Sequence, residues 1–303
     1  MRNRGGLQTL KRDYQLWIMI LPAIAVIFIF NYIPMYGIQL AFRDYDFSKG
    51  LTGGEWRGLH YFKQFIDSYL FVDLMRNTFL ISLATIVIGF PAPIILALTL
   101  NQIRRKRMKN VMQTVVYLPH FISIIVLVGM MNVLLSPETG VVGHMMKAMG
   151  LGHINLIAST NTFIPVYVLS DIWQHCGWNS IIYLAALSTV DPQLYDSAKM
   201  DGASRWQMIR YVDLPALVPT IVILFILSMG SILGTGFEKT FLMQNSLNLP
   251  VSEVISTYVY KIGIISNQFS YASAIGLFNT VINFIFLFGV NAISKKVSNT
   301  SLY

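Results

Sequence analysis

The chain has 303 residues, of which 54% are hydrophobic and only 12% charged, where soluble globular proteins carry about 25% charged residues. With a mean hydropathy of +0.57, a disordered chain, a nucleic-acid-binding domain and an ordinary soluble enzyme drop out as leading readings. The single cysteine, Cys176, excludes an intrachain disulfide framework and a cysteine-rich metal site.

Six segments read as membrane spans: Trp17–Gln39, Asn77–Leu100, Val111–Leu135, Phe163–Thr189, Ala216–Phe237 and Tyr271–Ile293. Each has 22 to 27 residues, enough for a helix to cross a bilayer, and their only ionisable Asp, Glu, Lys or Arg is Asp171. The predicted fold is therefore all-α: a polytopic membrane protein of six transmembrane helices, with residues 1–303 as one transmembrane domain. The first span follows a basic start, Arg2, Arg4, Lys11 and Arg12, and contains the small-residue spacing Ala23-Ile24-Ala25. Because the apolar run continues to Ile33, an uncleaved span is expected rather than a signal peptide.

Charge sets the orientation. With both termini in the cytoplasm, the inner segments 1–16, 101–110, 190–215 and 294–303 hold 14 basic residues against five acids, and the outer segments balance to zero. Basic residues stay on the cytoplasmic side during insertion, so the net charge of +8 reports topology rather than a polyanion partner. The run Arg104-Arg105-Lys106-Arg107-Met108-Lys109 reads as a topology signal and an anchor to membrane lipids, and no nucleic-acid partner is expected. Three outer segments follow: an aromatic one from Arg43 to Asp73, Ser136–Thr162 with several glycines, and Glu238–Ser270.

Motifs for enzymatic chemistry are missing. The chain has no Gly-Lys pair, hence no P-loop, and neither a His-Glu-x-x-His nor a Gly-x-Ser-x-Gly motif. No catalytic residue and no metal ligand is assigned. The informative stretch is the cytoplasmic loop 190–215. Asp191 caps and Pro192 opens a short helix to Met200, Gly202 takes a left-handed conformation that stops it, and Ser204 caps a second short helix through Tyr211 that Leu214-Pro215 ends. Two short helices at an angle make a compact foot, whose apolar side chains either lie under the bundle or need a partner.

Asp196-Ser197-Ala198, then Gly202, then Val212-Asp213-Leu214-Pro215, together with Asp201, Ala203, Ser204 and Gln207, resembles the EAA motif of ABC-importer permeases in its carbohydrate version. Asp196, Ser197 and Val212 depart conservatively from the motif's Glu, Ala and Ile. The Asn77-Thr78 opening of span two, Tyr117-Leu118-Pro119 and the six-span layout also look like sugar-type permeases, most like the LplB/YteP-like group for oligosaccharides or polysaccharide fragments. The resemblance implies a type I importer permease fold and half of a transmembrane pore. It implies a second homologous permease, two ATPase subunits that use ATP and magnesium, an extracytoplasmic solute-binding protein and a carbohydrate substrate, with no cofactor bound by this chain. It assigns coupling to the ATPase to Asp196, Ser197, Ala198, Asp201, Gly202, Ala203, Leu214 and Pro215.

Span four is the polar one. Asp171, Gln174, His175, Trp178 and Asn179 recur at helical spacing, so they share a face that lipid would penalise. That face suits sugar hydroxyls and ring faces, and suits equally a hydrogen-bonded seam to a partner permease. Asn279 and Asn283 in span six repeat the idea. Ser228, Ser231 and Thr235 line one side of span five, where Gly230 and Gly234 have the spacing of close helix packing. Pro91, Pro93 and Pro119 should kink their spans, and Tyr117, His120 and Phe121 are weaker pathway candidates. Two other classes remain open: an ion-coupled secondary carrier using Asp171, and a membrane-embedded enzyme acting on glycans or lipids.

Overall fold

The computed structural model describes residues 14–50, 53–150, 154–234 and 236–298. The basic start (Arg2, Arg4, Lys11, Arg12) and Thr235 lie outside the described residues. Among the described residues the protein is helical throughout, with no strand beyond the isolated bridges Arg43–Trp56 and Asp46–Gly50. By internal contacts it groups into two compact units: Met1–Asp67 with Ile262–Leu277, and Ser68–Lys261 with Phe278–Tyr303.

In the first unit, α1 (Tyr14–Phe42) is a long apolar helix whose side chains are almost all exposed. Its winding loosens to an i→i+5 turn over Phe28–Tyr32 and tightens to 3-10 from Ile33, where Pro34 lacks the amide an α-turn needs. The aromatic segment after it folds back on itself. Trp56 stacks on Phe42 at 5.6 Å, Asp44 N–H donates to Glu55 O, and Tyr61 donates to Asp44 Oδ1 at 2.8 Å. A Cβ at Gly54 would lie 1.6 Å from Asp44 O, so only glycine permits that approach. The short helix α2 (His60–Ile66) follows, and Tyr45 N–H ties the segment to Ser270 Oγ at 2.9 Å.

The second unit carries the bundle. In α3 (Phe71–Asn101) a wide i→i+5 turn at Thr85–Gly89 precedes Pro91, so the ring finds no carbonyl waiting for its missing amide. Span three, expected over Val111–Leu135 with a kink at Pro119, goes further and breaks in two: α4 (Lys106–Phe121) and α5 (Ile124–Leu134) meet at 96°. Pro119 ends the first in a 3-10 turn, Ile122 is extended, and Ser123 caps the second by accepting from Val126 N–H at 3.3 Å. A buried side chain completes the bend: Gln174 Nε2 donates to Ile122 O at 2.8 Å. A freed carbonyl inside an apolar bundle is costly unless paired, and Gln174 supplies the donor.

Next come α6 (Val141–Ala148) and α7 (Phe163–Ser188), a 26-residue helix with a polar face. The Pro91–Asn101 half of α3 packs along α7, and Ile94, Ala97, Tyr183, Leu187 and Leu217 form the core between them and α9. Where α4 crosses α7, a Cβ on Gly177 would lie 1.9 Å from Val116 O. The foot helix α8 (Pro192–Met200) leads to α9 (Arg205–Met229).

Two expectations about span five are corrected by α9. Leu214-Pro215 does not end a helix: an i→i+5 turn over Ile209–Asp213 absorbs the proline, and the helix runs through it. The span also stops at Met229 rather than Phe237, because residues 230–234 turn, with Leu233 N–H donated to Asn283 Oδ1 at 2.9 Å. Gly230 and Gly234 therefore share no helix face, although Gly230 still admits Leu287 closely.

The segment read as an outer loop is largely helical: α10 (Phe237–Met243), α11 (Leu249–Ser252) and α12 (Ile255–Ile265). Asn77 Nδ2 donates to Pro250 O and Glu253 O, and Thr78 Oγ1 accepts from Ile255 N–H, so the opening of span two grips this segment. The last helix is α13 (Phe269–Ser298). Four described helices are long and apolar enough to cross a membrane, five with the bent pair taken as one span. The expected fourth span, α7, has the length, but its polar side chains set it apart from them.

Gly177→Ala should push α4 off α7 and lower stability by about 1–3 kcal/mol, read as an earlier thermal unfolding midpoint of the purified protein in detergent. An unchanged midpoint would mean that the two helices do not cross there.

Candidate functional site

The polar residues of α7 divide between two tasks, because i→i+4 steps and i→i+3 steps drift in opposite directions round a helix. Asp171, His175 and Asn179 face cavities inside the bundle. Gln174 and Trp178 face the bend of α4. Gln174 is 2% exposed and holds Ile122 O, whereas Trp178 stacks on the His120 ring at 4.5 Å with planes 5° apart. Phe121 meets Trp178 edge-on at 5.7 Å. The bend thus displays an aromatic cluster built from His120, Phe121 and Trp178.

Two adjoining cavities of about 260 and 300 Å³ share Thr85, Ile86, Asp171, His175 and Ser228. The larger extends to Ser82, Ser231, Gly234 and Lys239, and the smaller to Cys176, Asn179 and Tyr183. Cys176, the single cysteine, lines the smaller cavity. The hydroxyls of Ser82 and Thr85 are buried without a hydrogen-bond partner. Each volume is at or just below the small end of ligand sites, roughly 300–1,000 Å³.

Lys239 is the side chain that the sequence reading missed. It sits on α10, in the segment taken as an outer loop, yet it is only 3% exposed. Its ammonium donates to Tyr167 O at 2.9 Å and to Asp171 Oδ1 at 3.3 Å, and lies 4.5 Å from the centre of the Tyr167 ring. On its other flank Asp171 meets His175 Nδ1 at 3.4 Å. The signal was available: a carboxylate inside a span demands a cation, and Lys239 is the first one beyond span five.

Span six contributes differently from the expectation. Asn283 is committed to Leu233 N–H, and Asn279 Oδ1 is buried without a partner; neither lines the Asp171 cavities.

The foot is built as its residues direct. Asp191 Oδ1 accepts from Gln193 N–H at 2.9 Å and caps α8. Gly202 has φ +74°, a conformation that other residues adopt at a cost, and a Cβ there would meet open space. Ser204 and Gln207 exchange hydrogen bonds in a capping box at the start of α9. Asp196 lies on the exposed face of α8, paired with Lys199 at 2.8 Å. Leu194 is 54% and Met200 89% exposed.

What fastens this foot is Asp213, which is fully buried. Its carboxylate accepts from Tyr195 Oη at 2.5 Å, Gln102 Nε2 at 2.7 Å and Asn101 Nδ2 at 3.3 Å. Tyr195 is on α8, Asn101 ends α3, and Asp213 is in α9, so one anion joins the foot to two long helices. Burial, and then the hydrogen bond to Asp213, push the Tyr195 hydroxyl up to about 12.

The architecture defines a class: a helical multi-pass membrane protein with polar cavities among its helices and a foot of short helices fastened to them. Residues 89–299 match the family described as binding-protein-dependent transport system inner membrane component, and the chain belongs to it. It is a permease subunit of an ABC transport system, not an enzyme. The chain is 40% identical to Protein LplB of Bacillus subtilis (strain 168) over 97% of this chain and 92% of that one. It is 39% identical to the polygalacturonan/rhamnogalacturonan transport system permease protein YteP of the same organism, over 100% and 94%. It also resembles, at TM-score 0.88 and 38% identity, a chain of a bacterial ABC transporter involved in the import of the acidic polysaccharide alginate, over 96% of this chain and 99% of that one. A second structure of an alginate transporter, in complex with alginate pentasaccharide-bound periplasmic protein, matches equally, with TM-score 0.88 over 97% and 99%.

Lys239→Ala strands Asp171 and should cost about 3–5 kcal/mol, and the double variant with Asp171→Ala should recover much of it. Thermal unfolding of the two variants beside the unaltered protein tests this, and a double variant no better than the single would break the pairing. Asp213→Ala should lose about 1.5–3 kcal/mol by removing bonds to a charged acceptor, seen as faster proteolysis between residues 190 and 205. Raised in the folded state, the Tyr195 hydroxyl contributes stability that is whole below pH ~10 and is lost as pH climbs toward about 12. Tyr195→Phe should flatten that alkaline loss.

Proposed function

We propose that the chain is the permease subunit of an importer for oligosaccharides or polysaccharide fragments, sited in the cell membrane with both termini cytoplasmic. It forms half of a translocation pore, and a second homologous permease forms the other half. Two ATPase subunits, which bind ATP and magnesium, drive it; an extracytoplasmic solute-binding protein delivers the sugar. The observation that carries this reading is the foot. It presents exposed Leu194 and Met200 to whatever lies beneath the bundle, while Asp213 ties its movement to α3 and α9.

Coupling then has a physical form. The pore has inward- and outward-facing arrangements, and ATP shifts their populations only because the ATPase grips the foot differently in each. Asp196, Ser197 and Ala198 supply the docking face, and Gly202, with Asp201 and Ala203 beside it, supplies the elbow. Leu214 and Pro215 belong to the helix that transmits the motion.

The sugar path runs along Asp171, His175 and Asn179, where serine hydroxyls and an amide can exchange hydrogen bonds with sugar hydroxyls. Trp178, with His120 and Phe121, offers a flat face to a ring. Cavities this small hold one ring of a chain at a time, and the partner permease closes the other side. The relatives that carry polygalacturonan, rhamnogalacturonan and alginate in their names support a polysaccharide-fragment substrate.

Gly202→Pro cannot adopt φ +74° and should abolish ATP-driven uptake by the reconstituted complex while the chain still inserts and binds its partner permease. Normal transport by that variant would remove the foot from the mechanism. Gradient-driven uptake by the isolated chain, lost on Asp171→Asn, would favour an ion-coupled carrier instead.

A further inference from the structure

A trough runs between α3 and α4 toward the foot. Its inner part, about 490 Å³, is lined by Leu96, Leu100, Val111, Met112 and Val115. Its outer part, about 720 Å³, is lined by Arg104, Arg105, Arg205, Trp206 and Ile209. Thr99, Ile103 and Met108 line both parts, so the two are continuous. The Thr99 hydroxyl is spent on Ile95 O and Leu96 O, which leaves the inner part without a free donor.

The outer part is electrostatically unfinished. No Asp or Glu lines it, and among the described residues no carboxylate pairs with Arg104, Arg105 or Arg205. The same end holds the N-terminus of α4, which has no side-chain cap and no acid in its first turn, but Lys106, Arg107 and Lys109 instead. Cations at a helix N-terminus oppose the helix dipole, and an anion there offsets both.

We propose that the trough binds one anionic phospholipid. The phosphate sits among Arg104, Arg105 and Arg205, the Trp206 indole lies at the headgroup level, and an acyl chain follows Leu96, Met112 and Val115 into the bundle. Basic pockets between helices on the cytoplasmic side of a membrane recognise anionic headgroups in this way. A protein occupant fits less well. A sister permease obeying the same charge asymmetry would bring further positive charge to this side. A cytoplasmic ATPase would not reach the apolar inner part. The proposal rests on the span assignment and is independent of the sugar.

The test is native mass spectrometry of the purified full chain in detergent. Dioleoylphosphatidylglycerol should bind saturably as one molecule, at least roughly tenfold more tightly than dioleoylphosphatidylcholine. Arg104→Gln/Arg105→Gln/Arg205→Gln should erase that preference, and Lys295→Gln/Lys296→Gln, basic residues at the end of α13 and off the trough lining, should keep it. Val115→Trp, which fills the inner part from a position 64% exposed, should remove the bound lipid without touching a charge or the fold. Equal affinity for the two lipids would overturn the proposal, as would equal losses in the triple and control variants. Exclusion of phosphatidylglycerol once the chain is assembled with its transporter partners would overturn it too, because the trough would then be a protein interface.

Discussion

The buried carboxylate of Asp213 holds the foot to the bundle. An ionised group without water must be met by donors, and here the donors come from α8 and the end of α3. Moving the foot alone would strand the charge. The bonds therefore hold α8 against the end of α3 and against α9 as one packed corner. Ser204, Gln207 and Gly202 shape the foot, and Asp213 fastens it to the helices.

The same constraint organises the interior. Asp171 finds a partner among apolar helices because Lys239 is brought to it on a short helix beyond the end of α9. That helix is in turn part of a segment gripped by Asn77 and Thr78. The polar cavities are thereby framed by three remote stretches of chain, each answering another's unpaired group. The ion pair leaves the cavity close to neutral, a lining suited to hydroxyl-rich ligands as much as to charged ones.

Broken helices do the remaining shaping. The 96° bend between α4 and α5 turns an apolar span into a ledge that displays His120 and Phe121 beside Trp178. The wide turns before Pro91 and Pro215 let prolines sit inside long helices without stopping them. Irregular backbone at this depth persists only where protein pairs it, as Gln174 does for Ile122 and Asn283 for Leu233.

Local chemistry made much of this protein legible. Apolar run length gave the helical membrane class, and charge asymmetry gave an expected orientation. Asp191-Pro192, Gly202 and Ser204 marked the elements of the foot, because caps and left-handed turns depend on a few adjacent residues. Tertiary structure alone decided what depends on distant partners. Lys239 looks like a loop residue until α10 folds against α7, and Gln174 looks like a pathway amide until the bend exposes Ile122 O. Asn283 looks like a pathway amide as well until a turn fifty residues earlier claims its oxygen. Proline foretold a disturbance at 119 and 215 but not its outcome: one helix broke and the other absorbed the ring. That choice lay with the donors that packing placed nearby, and no local pattern encodes them.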